Sequence, residues 1–97
     1  MKKRNLKDKT IKEITRFDNG IIYRYILSET KSEQVASFNL PLYSIEIIMT
    51  KDGETTKNRA DEIFADIGKA LSFFEKLAKN LATPIDLPYL IEDRVTF

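Results

Sequence analysis

With 97 residues, a net charge of +1, 42% hydrophobic and 32% charged residues, the chain has the length for one domain around a single modest core and the composition of an ordinary globular protein. It contains neither cysteine nor histidine, which excludes disulfides, thiolate zinc sites, triads that need an imidazole, and the side chain that normally switches charge near neutral pH. Carboxylates, lysines, tyrosines and hydroxyls are the chemical groups that remain.

From Met1 to Glu13 there are six basic residues (Lys2, Lys3, Arg4, Lys7, Lys9, Lys12) against Asp8 and Glu13, a net +4 that leaves −3 for the rest of the chain. This stretch has little apolar surface to offset the entropy of ordering it, so residues 1–9 are expected to form a basic flexible arm ahead of a single domain over residues 10–97. Charged and polar residues continue to Lys12 where the apolar part of a secretory leader would lie. No apolar run approaches the roughly 20 residues that cross a bilayer. A soluble, cytoplasmic protein is the expectation.

Strand-like residues run from Thr10 to Phe17 and again from Ile21 to Leu27, on either side of Asp18-Asn19-Gly20, where Asn-Gly is a strong hairpin signal. A two-residue turn sets Phe17 opposite Ile22 and gives no clean face. A three-residue loop with Gly20 as a bulge gathers Ile11, Phe17, Ile21, Tyr23, Tyr25 and Leu27 on one side, with Glu13 and Thr15 as exceptions, and is the preferred register. Ser28 to Gln34 reads as turn and Val35 to Leu40 as loop or edge. Leu42 to Thr50 alternates as a third strand, followed by a hairpin tip at Lys51-Asp52-Gly53-Glu54.

The period then changes. Ile67, Ala70, Leu71, Phe74, Leu77, Ala78 and Leu81 recur at helical spacing, and Asp66 is suited to cap the helix. Ala60, Ile63 and Phe64 extend the stripe backward, but Glu62 to Ala65 also suits a short fourth strand. Thr83-Pro84 ends the helix, and Asp86-Leu87-Pro88 opens a short second one over Leu87 to Asp93, with Asp86 as its cap. The expected fold class is α+β: an antiparallel three- to four-stranded β-meander packed by one long amphipathic α-helix, plus a short C-terminal helix.

The strand around Tyr43 to Met49, the segment Ala65-Asp66-Ile67 leading into a helix, and the tail from Thr83 to Asp93 resemble a family of small uncharacterised proteins of Gram-positive, Clostridia-like bacteria. The resemblance covers about the C-terminal half of the chain. It implies strands first and helices last, and carries over no activity and no functional residue.

No motif points to catalysis. Ser28-Glu29-Thr30-Lys31 has Ser-x-x-Lys spacing, but the further elements of those enzymes are absent and a turn is the expected reading. Asp52-Gly53-Glu54 lacks the ligand series of a calcium loop. Gly20, Gly53 and Gly68 are isolated and form no phosphate cradle. Asp86, Glu92 and Asp93 are carboxylates near one another, explained by capping and a solvated face. Tyr23 and Tyr25, with Arg24 between them, have the spacing of a base-stacking platform, but they share the face with Ile21 and Leu27, so burial under the helix is expected.

One helix covers one sheet face. In the preferred register Ile14, Ile22, Ile26 and Ile48 lie on the other, as a possible interface. Either the C-terminal helix, with Tyr89, Leu90 and Phe97, wraps round to cover them, or a second protein does, and a two-fold homodimer is the commonest form of that. The function expected is therefore that of a small non-enzymatic protein-interaction or regulatory module. The alternative is a nucleic-acid-binding accessory protein using Lys2, Lys3, Arg4, Lys7 and Lys9 as polyanion contacts. No catalytic residue, metal, cofactor or small-molecule ligand is expected.

Overall fold

Two Asx-Gly turns set the frame of the molecule. In the computed structural model, which describes residues 8–31 and 41–95, Asn19 and Gly20 have φ of 51° and 78°, and Asp52 and Gly53 have φ of 53° and 81°. Positive φ at both central residues marks the two-residue turn whose twist matches that of a hairpin, and glycine at the second position adopts it without steric cost. The turns join β1 (Asp8–Asp18) to β2 (Ile21–Lys31) and β3 (Pro41–Lys51) to β4 (Glu54–Phe64). The four strands form one antiparallel sheet in the order β1-β2-β3-β4. The helices α1 (Ile67–Lys79) and α2 (Leu87–Val95) follow.

The chain is thus α+β, as expected, with three differences. The fourth strand is full length, and Ala60, Ile63 and Phe64 belong to it, so α1 is a 13-residue helix and not a long one. Strand β2 runs to Lys31, which puts Ser28, Glu29 and Thr30 in the sheet and not in a turn. Strand β1 starts at Asp8, two residues inside the expected arm. Residues 1–7, like Val35 to Leu40, expected as loop or edge, lie outside the described residues.

The first hairpin also takes the register that sequence reasoning set aside. Asp18 pairs with Ile21 and Phe17 with Ile22, so the loop has two residues and no glycine bulge. A register slip of one residue turns every side chain of a strand to the other face. Ile14, now opposite Tyr25, joins the core side, where it is partly buried, while Phe17 is turned out and is 73% exposed. The irregularity in β1 sits farther along, between Thr10 and Lys12.

The core lies between one sheet face and the helices. Tyr23, Tyr25 and Leu27 of β2, Tyr43, Ile45 and Ile47 of β3 and Phe64 of β4 meet Ala70, Phe74, Leu77 and Ala78 of α1, with Ala82 and Leu87 completing the cluster. Burying a side chain such as Phe74 completely contributes roughly 1.5–3 kcal/mol. Asp66 caps α1 by accepting a hydrogen bond from the Gly68 N–H at 2.9 Å, satisfying one of the free donors of its first turn. At the other end Leu81 takes a φ of 54°. The Ala82 N–H then reaches the Leu77 carbonyl, and the Leu81 N–H the Ala78 carbonyl, which is the left-handed closure usually made by glycine.

Sheet side chains tie down this helix end. Arg16 donates to the Ala78 carbonyl at 2.8 Å, placing a cation at the negative end of the helix dipole. The Tyr25 hydroxyl donates to the Ala82 carbonyl at 2.9 Å, and Asn58 donates to the Pro84 carbonyl at 3.2 Å. Between the helices, the Thr83 N–H donates to the Asp86 carboxylate and the Asp86 N–H to the Thr83 hydroxyl, a reciprocal cap. The Asp86 carboxylate therefore closes the preceding turn; its backbone carbonyl accepts the first bond of α2, from Leu90. Among the described residues no helix is long and apolar enough to cross a membrane.

Candidate functional site: the uncovered face of the sheet

Alternation along the strands sends the remaining side chains to the opposite face, and the register lays them out in rows. Phe17, Ile22, Thr50 and Thr55 form the row nearest the turns; Thr15, Arg24, Ile48 and Lys57 form the next; Glu13, Ile26, Glu46 and Arg59 form the third. Both helices lie on the other side: Leu87 is buried in the same core as Phe74, and Leu90 and Ile91 of α2 pack against it. The expected wrapping of α2 onto the second face does not occur among the described residues. Tyr89 is exposed, and Phe97 lies outside the described residues.

Three of the four isoleucines expected on this face are there. Ile22 is 38% exposed, Ile26 and Ile48 are half-buried by their neighbours, and Ile14 belongs to the covered face. Phe17 stands beside Ile22 in its stead. The signal that would have found Phe17 is the preference of Asn-Gly for a two-residue turn. The two-residue turn leaves no all-apolar face, because Lys12 and Arg16 share the covered side with Ile14. Both lie on the covered side, where Lys12 extends to Glu75 at 2.7 Å and Arg16 to the Ala78 carbonyl, so their charges reach partners on α1.

Ion pairs cross the uncovered face between strands. Arg24 donates to Glu13 through Nε at 2.9 Å and Nη2 at 2.7 Å, Arg59 lies 4.0 Å from Glu46, and Arg59 also pairs with Asp61. Within the three rows, Glu13 and Glu46 are interspersed among Arg24, Lys57 and Arg59. Toward the far end of the strands its residues are small hydroxyls: Ser28, Thr30 and Ser44 are buried, and Ser44 accepts from the Glu62 N–H at 2.9 Å. That bond sits in a bulge, since β4 spends three residues between the partners of Tyr43 and Ile45, with Glu62 at a φ of 54°.

The other residues singled out by sequence are dispersed. Tyr23 and Tyr25 stack with ring centroids 6.3 Å apart but face the helices, Tyr25 having no exposed surface. Its hydroxyl is pushed up from the ordinary 10.0 to about 12, chiefly by burial and secondarily by Tyr23. Tyr43 is also raised, by burial first and then by Glu29 and Asp66. Asp52-Gly53 is a hairpin tip. Lys9 is exposed in β1, opposite Glu29, whereas Lys2, Lys3, Arg4 and Lys7 lie outside the described residues. No group of three or more histidines, cysteines or carboxylates that could hold a metal ion occurs among the described residues.

A four-stranded antiparallel meander with both helices on one face defines a small α+β domain whose second face is a sheet surface. The chain belongs to the family of unknown function DUF6514, whose model matches residues 4–96. No curated protein and no solved structure matches it.

Proposed function

We propose that the chain is a small non-enzymatic protein-interaction module that works as a homodimer through the uncovered face of its sheet. One observation carries the reading: Phe17, Ile22, Ile26 and Ile48 adjoin on a face that neither helix covers. A contiguous apolar cluster rimmed by charge is the usual anatomy of a protein contact. Both sheet edges are poor docking sites, since β1 and β4 each carry a bulge and charged residues, which discourage strand addition. Glu13 and Glu46, interspersed among Arg24, Lys57 and Arg59 in the three rows, favour a second copy over a polyanion, which calls for a patch of one sign. The reading retains two expectations of the sequence, a cytoplasmic location and a Gram-positive bacterial source.

Sedimentation velocity of the chain and of Ile22→Glu tests it. The expected result is a concentration-dependent species of twice the 11.3 kDa chain mass for the parent, and a folded monomer for the variant. A parent that stays monomeric up to millimolar concentration refutes the homodimer.

A further inference from the structure

Asn19-Gly20 is the one place in the chain where a glycine follows an asparagine. Asparagine is chemically labile because its side-chain amide is an electrophile within reach of the next residue's backbone nitrogen, whose attack closes a five-membered ring. The attack needs an amide not held by hydrogen bonds, a following N–H not engaged in secondary structure, and no side chain on the following residue to block the approach.

The asparagines of the described residues meet these conditions unequally. Asn58 is half-buried in β4. Its Nδ2 donates to the Pro84 carbonyl at 3.2 Å, and its Oδ1 accepts at 2.9 Å from the Arg59 N–H, the nitrogen that would have to attack. Asn80 closes α1 with its Nδ2 on the Lys76 carbonyl at 3.0 Å, and the next N–H, that of Leu81, is engaged by the Ala78 carbonyl. Asn19, by contrast, is exposed, and its Nδ2 donates only to the Asp18 carboxylate, at 3.3 Å. Gly20 lies beyond the last ladder pair, Asp18 with Ile21. A Cβ built on Gly20 would meet nothing within 4 Å, so the peptide has room to turn toward the Asn19 amide.

We propose that Asn19-Gly20 is an intrinsic modification site, where Asn19 loses ammonia through a succinimide and becomes aspartate or isoaspartate, the second of which breaks the turn that sets the register of β1. The Gly20 nitrogen gives up its proton and bonds to Asn19 Cγ; the Cγ–Nδ2 bond breaks, and Nδ2 leaves as ammonia with that proton. Water, the only co-reactant, then opens the ring. Addition at Cγ breaks the new bond and leaves aspartate. Addition at the main-chain carbonyl breaks the original peptide bond and leaves isoaspartate, with Cβ and Cγ of residue 19 now in the main chain.

The two products differ in their effect on the fold. Aspartate suits the position, since Asp52-Gly53 makes the same turn with φ of 53° and 81°. Isoaspartate lengthens by one atom a loop in which both residues need positive φ, and the pairs nearest it, Asp18–Ile21 and Phe17–Ile22, are the first to lose their register. The site does not depend on the homodimer.

Peptide mapping of the folded chain by mass spectrometry, during storage in mildly alkaline buffer at body temperature, tests the site. Asn19 should be half converted before a measurable fraction of Asn58 or Asn80 has changed, and Asn19→Gly, which keeps residues suited to the turn, should leave the corresponding peptide unaltered. The isoaspartyl form, separated by chromatography, should unfold at a lower urea concentration than the parent, while Asn19→Asp unfolds close to it. Conversion of Asn19 no faster than that of Asn58 and Asn80 overturns the site. An isoaspartyl form as stable as the parent overturns its effect on the turn.

Discussion

The two faces of the sheet use similar residues to opposite ends. On the covered face, Lys12 and Arg16 lie beside the aliphatic core and send their charges to Glu75 and to the Ala78 carbonyl at the edge of α1. On the uncovered face, Phe17 and Ile22 remain in solvent while Glu13 and Arg24 pair beside them. Register, more than the hydrophobicity of any one side chain, decides which face a residue joins. A turn of two residues commits the strand β1, and the cost of turning out Phe17 is accepted because the same choice brings Ile14 to the side of Tyr23, Tyr25 and Leu27.

The sharpest way to break this contrast is to empty the covered face. Phe74→Ala removes a fully buried ring and should destabilise the fold by about 3–5 kcal/mol, measured by urea unfolding of the variant at one fixed concentration. A cost below about 1 kcal/mol would mean that the helix is not the cover the core depends on.

Next in size is Tyr25→Phe, which leaves the Ala82 carbonyl without the hydroxyl that donates to it and should cost about 1–3 kcal/mol near neutral pH. Its pH dependence has a definite sign. Tyr25 has a hydroxyl raised to about 12 in the folded protein, so the folded state favours the neutral phenol. The stability linked to that group is whole below the unfolded value of 10.0 and is lost as the pH rises through about 12. The difference in stability between parent and Tyr25→Phe should therefore shrink over that interval in urea titrations. A difference that stays constant would show that the hydroxyl does not hold its proton in the way the buried geometry requires.

Asp66→Ala removes the cap at the start of α1 and should cost about 1 kcal/mol, read from the same unfolding curves. The smallest effect on the fold should come from the uncovered face: Phe17→Ser is expected to change monomer stability by no more than about 0.5 kcal/mol while abolishing the dimer. If its largest effect were on monomer stability, the two faces would differ less than the structure indicates.

Much of the architecture was legible in the residues. Asn19-Gly20 and Asp52-Gly53 announce their hairpins, the alternation from Tyr43 to Met49 announces β3, and the stripe from Ile67 to Ala78 with Asp66 before it announces α1. What was not legible has physical causes. Strand β4 opens with Glu54, Thr55, Thr56, Lys57, Asn58 and Arg59, an edge strand whose early residues are mostly exposed and which therefore shows no apolar alternation. Its last residues, Ala60, Ile63 and Phe64, fall by coincidence on the helical spacing of α1, and a bulge between them hides the strand's own period. The register of the first hairpin was obscured by Lys12 and Arg16, whose charges suggest solvent although both lie on the covered side and reach Glu75 and the Ala78 carbonyl of α1. Of the candidate interface, Ile22, Ile26 and Ile48 were found because they lie in strands whose facing is insensitive to that turn, whereas Ile14 and Phe17 exchanged roles with it.

The central claim, that helices occupy one side of the sheet and a second copy the other, is tested most directly by the isoleucine methyl groups, measured by NMR relaxation with a soluble paramagnetic probe at a concentration where the dimer prevails. Ile45 and Ile47, fully buried, and Ile85, 69% exposed, are built-in standards for protection and exposure. The account predicts that Ile22 and Ile48 relax as slowly as Ile45 and Ile47. Relaxation of Ile22 and Ile48 as fast as that of Ile85 would contradict it.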